Sequence, residues 1–236
     1  MGSYKTSAAI NYINQHPDHH YLYVSPLLSE CSRIQEGCPS LDFKQPDDTG
    51  AIQSKSGDLL RLLREGFNVA ISHELFKLLR EDAMDYIRDY CLILDEELST
   101  IEPHKVTLND LEIMQEQELL QIDPDTKQLI WLNDSYKGDY KRHMEAVKRQ
   151  DPFELAQNQV FWMFDAEVFK AFGRVFILTY LSDGCVLTSY LNINHIKYGY
   201  YHVEQTDTGH QFKEGFRPTT PCLLYTSPSP RDAHES

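Results

Sequence analysis

Short apolar runs dense in β-formers alternate with helix-patterned stretches, and this alternation constrains the fold more than any other feature of the sequence. YLYVS (21–25), NVAIS (68–72) and CLILDEE (91–97) are each too short for a buried helix and too uniformly apolar for a strand with one wet face. Helical spacing fills the gaps between them. Residues 5–14 place Ala8, Ala9, Ile10, Tyr12 and Ile13 on one side. Pro26 is expected in the first turn of a helix reaching Gln35, and residues 37–56 are expected to be loop. SGDLLRLLREG (56–66) closes on Gly66, and HELFKLLR (73–80) and DAMDYIRDY (82–90) follow. Strands joined through helices run parallel, and strands apolar along their whole length are covered on both sides. The expected fold class is therefore α/β, a mainly parallel sheet with helices on both faces.

Beyond Pro103 the pattern changes. The spacing predicts an acidic helix over 107–120, a hairpin over 119–132, a polar helix over 137–150, strands at 159–164, 174–180 and 196–203, and helices at 167–172 and 185–194. Trp131, Phe161, Trp162 and Phe164 are read as core residues rather than base-stacking platforms. Asp123, Asp125 and Thr126 mimic the start of a calcium loop, but the glycine and closing glutamate of such a loop are absent, so they are read as a hairpin turn. His19-His20 is read as a solvated turn.

Asp and Glu number 36 against 22 Lys and Arg, a formal charge of −14. Non-specific attraction of nucleic acid over the whole surface is excluded, although backbone amides at helix starts remain able to meet phosphates. The five cysteines form no C-x-x-C pair, which argues against structural zinc and a disulfide framework and fits a reducing cytoplasm. No apolar run is long enough to cross a membrane. The last residues, CLLYTSPSPRDAHES, resemble translated sequencing-adaptor read-through; a Pro/Ser linker is the alternative. On either reading Cys222 to Ser236 is expected to carry no function.

Three pieces point to chemistry. GSYKTS (2–7) opens a helix, where N–H groups and the helix dipole attract phosphate. Lys5 and Thr6 align with the last two positions of the phosphate loop G-x-x-x-x-G-K-[ST]. That alignment puts Tyr4 at the second glycine and leaves the first glycine, with the strand feeding the loop, before Met1. The second piece is LILDEE (92–97), a buried strand running into acids. A carboxylate beside a phosphate loop holds Mg²⁺, and the next acid polarises water, so Asp95 is the metal candidate and Glu96 the general base. The third is the set VSP (24–26), ISHELF (71–76) and ILTY (177–180).

Taken in order, K-T, S-P, S-H-x-L-F, L-D-E-E and L-T-Y resemble the first motor domain of superfamily 2 helicases, above all the DEAD/DEAH-type ATPases of bacteriophages and mobile elements. The resemblance covers residues 2–205 and implies a RecA-like P-loop NTPase fold lacking its first strand, with ATP and Mg²⁺ as cofactors and DNA or RNA as partner. It implies that Gly2, Ser3, Tyr4, Lys5, Thr6 and Ser7 hold the nucleotide and that Thr6 and Asp95 hold the metal. Lys5 and Glu96 would serve catalysis. Ser25, Pro26, Ser72 and His73 would touch the nucleic-acid backbone, and Thr179 would couple hydrolysis to movement. Residues 206–220 are then a connector and 221–236 a non-native or disordered tail. Tyr4 departs from the family's glycine, and neither the second motor domain with its arginine finger nor the base-recognition motif is matched. A terminase-type packaging ATPase and a non-catalytic remnant that binds a protein partner remain alternatives. The absent strand is expected to leave a groove or an irregular junction beside 92–97, with Ala9 and Ile13 less buried than their pattern asks, and Lys5, Thr6, Asp95 and Glu96 are expected to converge at one sheet edge.

Overall fold

The computed structural model describes residues 4–49, 54–150, 153–156, 159–179 and 185–215. Gly2, Ser3, Tyr180 and the tail from 216 onward lie outside them. In chain order the elements are α1 (Lys5–Gln15), β1 (His20–Ser25), α2 (Leu28–Gly37), a 3-10 turn at Pro39–Leu41, α3 (Lys55–Arg64), β2 (Val69–Ser72), α4 (His73–Phe76), α5 (Glu81–Ile87) and β3 (Tyr90–Asp95). Then follow β4 (Ile101–His104), α6 (Leu108–Glu116), β5 (Leu120–Ile122), β6 (Leu129–Trp131), α7 (Lys141–Gln150), β7 (Phe153–Ala156), β8 (Gln159–Met163), α8 (Ala166–Ala171), β9 (Arg174–Leu178), α9 (Val186–Ile193), β10 (Tyr201–Thr206) and β11 (Gly209–Glu214). The chain divides into two compact units, Ile13–Lys197 and a smaller one made of Met1–Tyr12 with Tyr198–Ser236.

The larger unit is built on a four-stranded sheet in the order β2-β1-β3-β9, every pairing parallel. Strands β1 and β3 are buried almost from end to end. Their period-two alternation feeds two layers. Leu22, Val24, Leu92 and Leu94 share one core with Leu59 and Leu63 of α3, Ile87 of α5, Val168 of α8 and Leu187 of α9. Tyr21, Tyr23, Cys91 and Ile93 face the other way and are equally buried. The α/β fold with a parallel sheet flanked by helices therefore stands.

Local chemistry sets the helix boundaries. Ser54 caps α3 by accepting from the Gly57 amide at 3.1 Å, and Gly66 leaves the helix with φ +78°. Thr107 caps α6 in the same way. Pro26 does not enter α2: the N-cap is Leu27, so Pro26 sits outside the helix. The helix expected over 73–80 keeps only its first turn: the Leu78 and Leu79 amides reach carbonyls three residues back, and Arg80 is extended before a second helix begins at Glu81.

Two expectations fail. β3 is hydrogen-bonded on both sides, to β1 and to β9, so no groove runs beside residues 92–97. Ala9 and Ile13 are 0% exposed, as buried as their helical spacing asks. Pairing on both sides leaves no row of unpaired amides along β3.

Residues 101–163 add a small antiparallel sheet, β4-β8-β7, and the hairpin β5-β6. Leu111, Met114, Leu120, Trp131, Met144 and Val160 form a separate core there. Trp131, Trp162 and Phe164 are buried, as the sequence suggested. The Asp123 carboxylate accepts from the amides of Asp125 and Thr126, which makes the turn of the β5-β6 hairpin. In the smaller unit, β10 and β11 pair antiparallel, so the stretch expected as a connector carries a strand. Asn11 of α1 donates to the His210 carbonyl of this hairpin at 3.1 Å. Among the described residues no helix is long and apolar enough to cross a membrane.

Candidate functional site

Parallel pairing puts the carboxyl ends of β1, β2, β3 and β9 on one side of the sheet, where open α/β sheets bind ligands. Ser25 ends β1 opposite Ser72, which ends β2. Asp95 ends β3 opposite Leu178, which ends β9 and precedes Thr179. The pair Val24–Leu94 joins the two halves one residue earlier. Ser25, Pro26, Ser72, His73, Asp95, Glu96 and Thr179, far apart in sequence, thus meet at one edge.

Asp95 is the most enclosed of the candidate acids, at 6% exposure. The Tyr23 hydroxyl donates to its Oδ2 at 2.7 Å. Burial, and then the Asp95 charge, push the Tyr23 phenol far above its ordinary range, so it stays a donor. The Asp95 carbonyl lies 2.9 Å from His73 Nε2. A carbonyl only accepts, so Nε2 carries the proton and the neutral ring leaves Nδ1 bare. Burial holds His73 below the usual histidine range; its bond to Asp95 opposes that shift and the Lys77 charge adds to it.

Glu96 breaks the strand's alternation. It adopts φ +65°, in the left-handed region, and its amide donates to the Leu178 carbonyl at 3.2 Å. That conformation costs a residue with a Cβ about 1–2 kcal/mol. It carries the Glu96 side chain out of the buried strand to an exposed position beside Asp95. Glu97 reaches elsewhere: its Oε1 accepts from the Leu187 amide at 3.1 Å, in the first turn of α9, where the N-cap residue Cys185 offers no side-chain cap. A carboxylate there also meets the positive end of the helix dipole.

The serines are engaged locally. Ser25 Oγ accepts from the Leu27 amide at 3.3 Å, and Ser72 Oγ caps α4 by accepting from Leu75 at 3.3 Å. Pro26 is exposed and Thr179 half-buried.

In the smaller unit, Tyr4 precedes α1, and Lys5, Thr6 and Ser7 form its first turn, which contains no acidic residue. Tyr4 has φ +56°, the conformation that a glycine supplies most readily. Its ring is exposed and stacks on His210, centroids 4.1 Å apart and planes 8° from parallel. The tyrosine therefore holds a left-handed backbone with its side chain turned onto the β10-β11 hairpin.

No group of three or more His, Cys, Asp or Glu that could hold a metal occurs among the described residues. Mg²⁺ is commonly held by one or two carboxylates together with substrate phosphates and needs no such all-protein group.

Sequence reasoning did not single out Tyr23 or Glu97. A tyrosine in the middle of a fully buried strand was the available signal, because a buried hydroxyl needs a partner. Glu97 gave none, since its partner lies 90 residues away in sequence.

The chain is similar to the SPbeta prophage-derived uncharacterized protein YonV of Bacillus subtilis (strain 168), at 28% identity over 230 residues. The match covers 92% of this chain and 56% of that protein, so the chain spans little more than half the length of its relative. No family model matches, and no solved structure matches significantly.

Proposed function

We propose that this chain is the ATP-binding motor domain of a phage or mobile-element helicase or translocase, which couples ATP hydrolysis to movement along DNA or RNA. One observation carries the reading: an enclosed aspartate and an exposed glutamate follow each other at the carboxyl end of a central parallel strand, split by a left-handed turn that gives them different surroundings. Two acids in different environments suit two roles. Asp95, fixed and shielded, is suited to hold Mg²⁺; Glu96, projecting, is suited to orient and deprotonate a water. The prophage origin of the relative supports the mobile-element setting.

Bound Mg²⁺ would supply charge neutralisation at the β- and γ-phosphates. By the resemblance, the Lys5 ammonium and the Thr6 hydroxyl of the first turn of α1 would be the groups that meet those phosphates. The Tyr4 turn leaves backbone geometry there compatible with a phosphate loop. Ser25, Pro26, Ser72 and His73 stand on the same edge as the acids, as residues that link a nucleic-acid track to the nucleotide would. Thr179 follows Leu178, whose carbonyl accepts from the Glu96 amide, and this adjacency supports the coupling role.

The test is equilibrium binding of a fluorescent ATP analogue with and without Mg²⁺, followed by phosphate release with and without single-stranded DNA or RNA. Mg²⁺-dependent binding that is lost in Lys5→Ala is expected. Glu96→Gln should keep binding and lower hydrolysis by about 10²–10⁴-fold, the usual worth of a general base. Turnover by this chain alone should be slow, because an arginine finger is worth about 10³–10⁵ in rate. A protein that binds no ATP analogue at any Mg²⁺ concentration would refute the reading and leave the protein-binding remnant in its place.

A further inference from the structure

We propose that Tyr23 is a positioning residue, whose hydroxyl fixes the Asp95 carboxylate that would hold magnesium; this rests on the nucleotide-binding reading above. Tyr23 pairs in register with Ile93, so Asp95 is two residues further on and emerges on the same face of the sheet. The Tyr23 ring is 0% exposed and spans that step, with its hydroxyl 2.7 Å from Oδ2. This length is that of a charge-assisted hydrogen bond, which constrains the carboxylate's rotation about its own axis. On the main-chain side His73 holds the Asp95 carbonyl at 2.9 Å, and the next amide is tied to Leu178 at 3.2 Å. The acid turn is therefore fixed from β1, α4 and β9 at once.

The choice of donor matters. Unlike an arginine or lysine, a phenol donates a hydrogen bond without adding a positive charge beside the carboxylate. Partners of metal-bound carboxylates that act in this way cost about 10–100-fold in metal affinity when removed. Tyr21, two residues earlier on the same strand and face, is the internal control. It is equally buried, and its hydroxyl donates to the His16 carbonyl at 2.8 Å, away from the acids.

The experiment titrates Mg²⁺ against a fixed concentration of the fluorescent ATP analogue in wild-type protein, Tyr23→Phe and Tyr21→Phe, with a parallel measurement in EDTA. Thermal melting of each variant is recorded alongside. The expected result is a rise of about tenfold or more in the Mg²⁺ concentration at half-saturation for Tyr23→Phe. Its EDTA binding should be unchanged, and Tyr21→Phe should follow wild type. Equal Mg²⁺ requirement in Tyr23→Phe and wild type would overturn the positioning role while leaving the nucleotide site intact. Loss of EDTA and Mg²⁺ binding together, with a lowered melting temperature, would make Tyr23 a structural residue only and also overturn it. Analogue binding without any Mg²⁺ dependence in wild type would remove the magnesium site and this role with it, whereas no analogue binding at any Mg²⁺ concentration would remove the nucleotide reading.

Discussion

Replacing Thr100 by valine should make the protein more stable, although it puts an apolar group in place of a polar one a few residues from the candidate acids. Thr100 is 0% exposed, and its Oγ1 has no hydrogen-bond partner among the described residues. Its backbone is well used: the Thr100 carbonyl accepts from the Phe164 amide at 2.9 Å, continuing the link between the start of β4 and the end of β8. That bond does not depend on the side chain. Burying a hydroxyl without a partner costs about 1–3 kcal/mol. Valine has the same branched shape, so no cavity opens and the χ1 restriction is alike. A gain near the low end, about 1 kcal/mol, is expected. For a chain of this size 1 kcal/mol moves the melting temperature by about 2–4 °C. The assay is differential scanning calorimetry or a circular-dichroism melt at neutral pH, with Thr100→Ser as companion. Serine keeps the hydroxyl and loses the methyl, so it should melt below wild type. A fall in melting temperature for Thr100→Val would show that the hydroxyl has a partner, such as a buried water, and would refute the reasoning.

Glu96→Gly should keep or raise stability by up to about 1 kcal/mol, because glycine takes φ +65° without the Cβ penalty and loses part of that gain to chain entropy; on the proposed reading it should at the same time abolish hydrolysis, checked by melting and phosphate release. Glu97→Ala should cost about 1 kcal/mol through the uncapped first turn of α9, read as a lower urea midpoint with unchanged slope. Burial comes first among the causes holding His73, His104 and His143 below the usual histidine value. Below about pH 6.5 the unfolded chain therefore takes up protons that the folded chain refuses, and stability should fall with acidification from there, by at most about 1.4 kcal/mol per pH unit for each ring. Melts between pH 8 and 5 check this; a melting temperature that rises below pH 6.5 would contradict it. His143→Phe should flatten that slope, because Arg142 Nε donates to His143 Nε2, which puts the proton on Nδ1 and makes it the donor to His104 Nε2 at 3.1 Å, an arrangement that a second proton on either ring disrupts.

The parallel sheet was legible because β1, β2 and β3 are uniformly apolar and short, a pattern that only strands covered on both faces need. Their carboxyl ends were legible for the same reason: each run stops at the first polar residue, Ser25, Ser72 and Asp95, and parallel pairing then aligns those stops. The strands that were missed lack that pattern. β4 contains Pro103, which argues against a central strand, yet β4 is an outer strand of its small sheet, where a missing N–H is tolerated. β11 lies in the stretch expected as connector: His210, Gln211, Lys213 and Glu214 show no apolar alternation, yet Gly209 at φ +112° follows a tight turn from β10. The bonds that define the candidate site were the least legible. Tyr23 to Asp95, His73 to the Asp95 carbonyl and Glu97 to α9 join residues 22 to 90 positions apart, and no periodicity encodes them. A sequence announces where a strand ends because burial stops there; it does not announce which neighbour reaches across to hold the last residue. That distinction separates the two kinds of acid at this edge. Asp95 could be singled out from the run it terminates, whereas the tyrosine that orients it looks, in sequence, like one more apolar residue in a buried strand.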